Sequence, residues 1–143
     1  MEILSTGNCI ITGFIYNSQQ SFLLKTDLNG NQQWTQTYPL SNSSSSLQQT
    51  SDGGFIISAF DNFSNQQMIK TDLNGIIDWM HTFNVGSDEY LGAHQNSNDE
   101  FVICGTSYSL NFSTTLINLI NYSNGQTNCC LLYTSDAADD RVS

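Results

Sequence analysis

Two stretches place side chains at spacings that could do chemistry: Asp27-Leu28-Asn29-Gly30 and Asp72-Leu73-Asn74-Gly75. A carboxylate and an amide oxygen two residues apart are how a calcium loop begins. Such a loop needs further oxygen ligands, including a late acidic residue, and none follows Asn29 or Asn74 at regular spacing. The same residues also make an Asx-type turn, in which the carboxylate accepts backbone N–H groups of a hairpin. A third, looser stretch ending in Asn124-Gly125 keeps the turn residues and drops the Asp, which favours the turn. Asp88-Glu89 and Asp99-Glu100 have the composition of paired glycosidase carboxylates, yet both fall at turn positions in a sequence full of acidic turns. His81 and His94 are too few and too irregular for a metal site. There is no Ser-His-Asp elbow, phosphate-cradling glycine loop or Cys-x-x-Cys. From the sequence, no residue is assigned to catalysis, to a metal or to a cofactor.

The elements that must position these turns follow from a repeat. Lys25-Thr26-Asp27-Leu28-Asn29-Gly30 returns letter for letter as Lys70 to Gly75, each followed after three residues by a tryptophan, Trp34 and Trp79. A second landmark has almost the same period: Gly7-Asn8-Cys9-Ile10-Ile11, Gly53-Gly54-Phe55-Ile56-Ile57 and Asp99-Glu100-Phe101-Val102-Ile103, with Gly105 closing the third figure. Repeats of roughly 40 to 50 residues mark propellers or helical solenoids. Short runs rich in Ile, Phe, Tyr and Thr, broken by Asn-Gly and Asp-Gly, exclude the helical kind. One period holds four strand candidates, about 45 to 50, 54 to 60, 66 to 71 and 76 to 82. The expected fold is all-β: a partial β-propeller of just under three four-stranded antiparallel blades of about 45 residues.

The copies run about 1–44, 45–90 and 91–129, with Ile120 expected in the place of Lys70 and position 129, a Cys, in the place of Trp. Asn and Gly of each Asn-Gly pair are expected in left-handed conformations. Phe55-Ile56-Ile57 is apolar at consecutive positions, so both faces of that strand should be covered; a sheet wetted on one side alternates. Lys25 and Lys70, ending the third strand of their copies, are expected to reach solvent at the rim. Trp34 and Trp79 could form a carbohydrate or peptide platform, but a residue present once per copy suits packing between copies. Cys9 and Cys104 are expected as two buried free thiols.

Composition narrows the partners. Three basic residues face thirteen acidic ones, a formal charge of -10, which repels nucleic acid and anionic membranes. No stretch approaches the ~20 apolar residues of a membrane span, so no membrane insertion is expected. Met1-Glu2-Ile3-Leu4 lacks the basic and apolar regions of a signal peptide.

Asp52-Gly53-Gly54-Phe55-Ile56-Ile57 followed by Lys70-Thr71-Asp72-Leu73-Asn74-Gly75 and Trp79 resembles the repeat of secreted or cell-surface β-propeller proteins. That resemblance covers Gly7 to Asn128. It implies a fragment of an extracellular, non-enzymatic binding or scaffold module with a protein or carbohydrate ligand; the loops at Ser41 to Ser46 and Ser107 to Ser113, which differ most between the copies, are the candidates to take it. The alternative is the propeller part of an enzyme whose site lies in blades outside this sequence. The hairpin is also similar to the tryptophan-docking repeat of quinone-dependent dehydrogenases, although no cofactor-binding residue can be carried over; a glycan-active enzyme is the other possibility. The sialidase-type Asp box has different spacings and does not match. Cys130-Leu131-Leu132-Tyr133-Thr134-Ser135-Asp136-Ala137-Ala138-Asp139 resembles the translation of a transposase-type sequencing adapter, so 130–143 is expected to be a non-native, disordered tail.

Overall fold

The computed structural model describes residues 1–38, 43–61, 65–83, 89–107, 114–120 and 130–134. Every regular element among them is a strand. The first sheet is β1 (Glu2–Ile3), β2 (Cys9–Ile15), β3 (Gln20–Thr26) and β4 (Gln32–Tyr38). The second is β5 (Ser43–Gln49), β6 (Phe55–Phe60), β7 (Gln66–Thr71) and β8 (Ile77–Phe83). The third is β9 (Glu89–Gln95), β10 (Phe101–Ser107), β11 (Thr114–Ile120) and β12 (Cys130–Thr134). Each is open and antiparallel, with its strands in sequence order.

Five hairpins share one turn geometry. In each, the first residue exchanges backbone bonds with the fourth and fifth, as in Gly30 N to Asp27 O (3.1 Å) and Asp27 N to Asn31 O (2.9 Å). The fourth residue takes positive φ: Gly7 at 82°, Gly30 at 83°, Gly53 at 84°, Gly75 at 77° and, in the third sheet, Asp99 at 60°. This is a three-residue loop closed by one left-handed residue. Asn29 and Asn74 are therefore not left-handed, contrary to expectation; Gly alone supplies the positive φ in their turns.

The core lies between the first and second sheets. Ile10, Leu23 and Tyr38 meet Phe55, Ile57, Ala59 and Ile69. Every residue of β7 is buried, and so are all but the last of β6, because sheets pack on both faces: β5 neighbours the first sheet, and β9 packs against β5, β6 and β7. Even Gln66 is enclosed, donating to Ser58 Oγ at 2.6 Å. Free N–H groups of the first strands are met by side chains of the preceding sheet. Gln49 N donates to Glu2 Oε2 (2.6 Å), Ala93 N to Ser46 Oγ (2.9 Å) and Gln95 N to Gln48 Oε1 (2.8 Å). Edges that would otherwise offer unpaired donors are thereby satisfied.

Several expectations change here. Segment 130–134, read as disordered, forms β12 on the free edge of β11; Leu131, Leu132 and Tyr133 suit an extended strand, and an unpaired edge supplies its hydrogen bonds. Residues 135–143 lie outside the described residues. The third sheet's register puts Leu119, not Ile120, in the place of Lys25 and Lys70, and Cys130, not Cys129, opposite it. Ser43 to Ser46, read partly as a loop, belongs to β5. Of the second loop only Ser107, the end of β10, is described. Cys9 is a half-buried free thiol; the side chain of Cys104 lies outside the described residues.

Candidate functional site

The repeated Asp residues serve their own hairpins. Asp27 Oδ1 accepts from Asn29 N and Asn31 N at 2.9 Å each, and Oδ2 from Asn31 Nδ2 at 2.9 Å. Asp72 Oδ1 accepts from Asn74 N and Ile76 N, both at 2.8 Å. The bond from Asn31 holds the Asp27 carboxyl below its ordinary range, and the bond from Ile76 does the same for Asp72. Donors occupy the oxygens that a calcium loop would aim at the ion. Asn124 and Gly125 lie outside the described residues, as does Asp88; Glu89 begins β9. Asp99 and Glu100 do not converge: Asp99 accepts from Ser51 and Gln95, while Glu100 accepts from Asn96 Nδ2 at 2.8 Å. His81 lies in β8, and His94 is exposed in β9.

The tryptophans lie between sheets. Trp34 packs on Phe55 with ring centres 6.2 Å apart, and Trp79 meets Phe101 edge-on at 5.2 Å. Gly75 sits against the first of these; a Cβ on it would come within 2.9 Å of Trp34 and Gln36.

A cleft of about 320 Å³ opens beside Trp79, lined by Ser51, Asp52, Lys70, Asp78, Gln95, Asp99 and Phe101. One lining residue, Lys70, is only 4% exposed, so the expected rim lysine is a buried one. The ammonium lies 2.8 Å from Asp52 Oδ2 and 3.3 Å from Asp78 Oδ2, and donates to Thr71 O at 2.7 Å. Each partner is placed by backbone geometry. Asp78 is the bulged residue where the register shifts between Lys70 and Thr71, and a bulge re-aims its side chain. Asp52 is fixed by Thr50 Oγ1 (2.5 Å) and by Gly54 N (2.9 Å). Gly54 has to be Gly: a Cβ there would collide with Thr71 O and stand 2.6 Å from Lys70 Nζ. Partial burial would raise the Asp52 carboxyl, but the bonds from Lys70, Thr50 and Gly54 outweigh it and bring it down to about 2. Across the cleft, Ser51 N donates to Gln95 Oε1 (2.7 Å), and Asp99 Oδ1 accepts from Ser51 Oγ (2.7 Å) and Gln95 Nε2 (3.1 Å).

Two carboxylates at one ammonium and a third, Asp99, in the same lining leave the cleft acidic, and Trp79, Phe101, Gln95 and Ser51 complete the lining. That set can receive a cationic or polyhydroxyl group. Among the described residues, no three His, Cys, Asp or Glu side chains are grouped to hold a metal ion. In the sequence Trp79, Gly53 and Gly54 read as residues of the repeat, and Lys70, Asp52 and Asp78 did not show as a unit. The available signal was substitution between copies: Thr6, Asn8 and Gln33 stand where the second copy has Asp52, Gly54 and Asp78. Comparison with protein-family models, curated proteins and solved structures gave no match.

Proposed function

We propose that this protein is a stretch of β-propeller from an exported or cell-surface protein, acting as a binding or scaffold module. The observation that supports it is the middle sheet, covered on both faces by sheets of the same strand order. A radial array of four-stranded blades covers each blade in this way, and places ligands at loops between strands. In this reading the cleft beside Trp79 is where a ligand sits, a neutral oligosaccharide or a basic side chain of a protein partner being suited to its carboxylates and aromatic rings.

The test uses the fluorescence of Trp79 in a Trp34→Phe variant, titrated with a panel of neutral oligosaccharides and Lys- or Arg-containing peptides. At least one is expected to quench or shift the emission, and Asp99→Asn is expected to weaken that response. An unchanged spectrum across the panel would count against the cleft as a ligand site.

A further inference from the structure

We infer that Asn29 is a site of spontaneous deamidation and isoaspartate formation, and that tertiary contacts protect Asn74 in the identical hexapeptide from the same reaction. The chemistry is intramolecular. The backbone nitrogen of the following glycine loses its proton and attacks Asn Cγ. The new bond closes a succinimide ring as the bond between Cγ and Nδ2 breaks and ammonia leaves. Water then opens the ring, giving Asp by attack at one carbonyl and isoaspartate by attack at the other. A glycine on the C-terminal side favours closure because no Cβ obstructs the approach.

Both Asn-Gly pairs begin from the same backbone hydrogen-bond pattern, although Asp72 Oδ2 accepts from the Asn74 amide at 3.4 Å where Asp27 Oδ2 accepts from that of Asn31 at 2.9 Å. Gly30 N and Gly75 N each donate to the turn's Asp carbonyl at 3.1 Å, and each Asp Oδ1 accepts from the two backbone N–H groups that flank the glycine. Ring closure requires the Asn-Gly peptide to rotate out of this arrangement, so the rate follows the local opening of the turn.

The surroundings separate them. A Cβ placed on Gly30 would meet nothing within 4 Å, and Asn29 and Gly30 are exposed, the turn touching the adjoining hairpin through Leu28 on Gly7. The peptide at Gly75 is held by β4 of the first sheet. Tyr38 OH donates to Gly75 O at 2.9 Å, Gln36 Nε2 donates to Asn74 O at 3.3 Å, and Trp34 and Gln36 crowd the glycine Cα. Opening the second turn must break these bonds as well as its own, and each net hydrogen bond lost slows the reaction severalfold.

The whole protein is incubated at mildly alkaline pH and digested with trypsin, which separates the two sites because Lys25 and Lys70 precede them; fragmentation then locates each acid and distinguishes isoaspartate. Asn29 is expected to convert at least tenfold faster than Asn74, equivalent to about 1.4 kcal/mol in barrier. In concentrated urea the two rates should converge, since the local sequence is shared. Tyr38→Phe keeps the ring and removes the hydroxyl, and should speed Asn74 while leaving Asn29 unchanged. Equal rates in the native protein, a difference that persists in urea, or no response of Asn74 to Tyr38→Phe would overturn the inference.

Discussion

The first and second sheets are built from near-copies of one sequence, yet they differ in what their residues experience. In β3 the burial alternates, with Ser21 and Leu23 covered and Phe22 and Leu24 half-exposed; in β7 all six residues are buried. The cause is position. The second sheet has a neighbour on each face, whereas among the described residues the first is packed only against the second. Lysine shows the same contrast in one residue type. Lys25 is half-buried, and Asn8 and Gln33 near it bond to each other at 3.4 Å. Lys70 is enclosed because Gly54 leaves room for its ammonium and Asp52 and Asp78 neutralise it. A buried ammonium without such partners would carry a desolvation penalty of several kcal/mol. The second sheet thus tolerates a charge in its interior that the first, lacking both carboxylates, does not take in.

Truncation of equivalent isoleucines breaks this comparison most directly. Ile57→Ala, at a side chain with no exposure, should lower stability by about 3 kcal/mol in urea denaturation. Ile11→Ala, its half-buried counterpart in β2, should lose about 1 kcal/mol. Equal losses would mean that the outer face of the first sheet is covered as fully as the middle sheet.

The next effect concerns the lysines. Asp52→Asn should destabilise by about 2 kcal/mol, a value reduced from that of a fully buried pair because the Asp52 side chain is 59% exposed. Replacing Gly54 by Asn, the residue that the first sheet carries at this place, should be at least as damaging. Acetic anhydride should modify Lys25 well ahead of Lys70 in the native protein, and at a similar rate in urea. Comparable native reactivity would remove the contrast.

Acid sharpens the same point. The Asp52 carboxyl stands at about 2 in the fold against 3.8 when unperturbed, so the unfolded state binds more protons in that interval and stability falls with falling pH. The contribution is fully present above about pH 4 and is lost as pH drops toward 2. Asp52→Asn should shallow the acid limb of an unfolding curve, while Thr6→Ala, at the equivalent place in the first sheet, should leave its slope unchanged. The smallest effect belongs to the turns: Asp27→Asn and Asp72→Asn should each lower Tm only slightly, since both carboxylates stand in solvent, with no calcium-dependent rise in Tm that either change removes.

Much of the architecture was legible in the residues. The expected strands at 54 to 60 and 66 to 71 became Phe55–Phe60 and Gln66–Thr71, because Gly, Asn and Asp punctuate the sequence where hairpins must turn. Consecutive apolar residues at Phe55-Ile56-Ile57 foretold two covered faces, and all three are buried. The cleft was far less legible. Lys70, Asp52 and Asp78 are spread over twenty-seven positions, and they meet only once a bulge and two hairpins have been formed.

By itself, then, the sequence determined the elements whose energetics are local: strand periodicity, the positive φ of the turn glycines, and the Asp side chains that cap their own loops. Tertiary structure decided what the hexapeptide Lys-Thr-Asp-Leu-Asn-Gly would become in each setting. Its first copy has a half-exposed lysine and a turn whose Asn-Gly pair is exposed; its second has a buried lysine and a turn held by Tyr38, Gln36 and Trp34. Local propensity is the same in both, so it cannot distinguish them. Desolvation and packing depend on residues from the adjoining sheet and the preceding hairpin, and those are brought near only by the stacking of one sheet on the next.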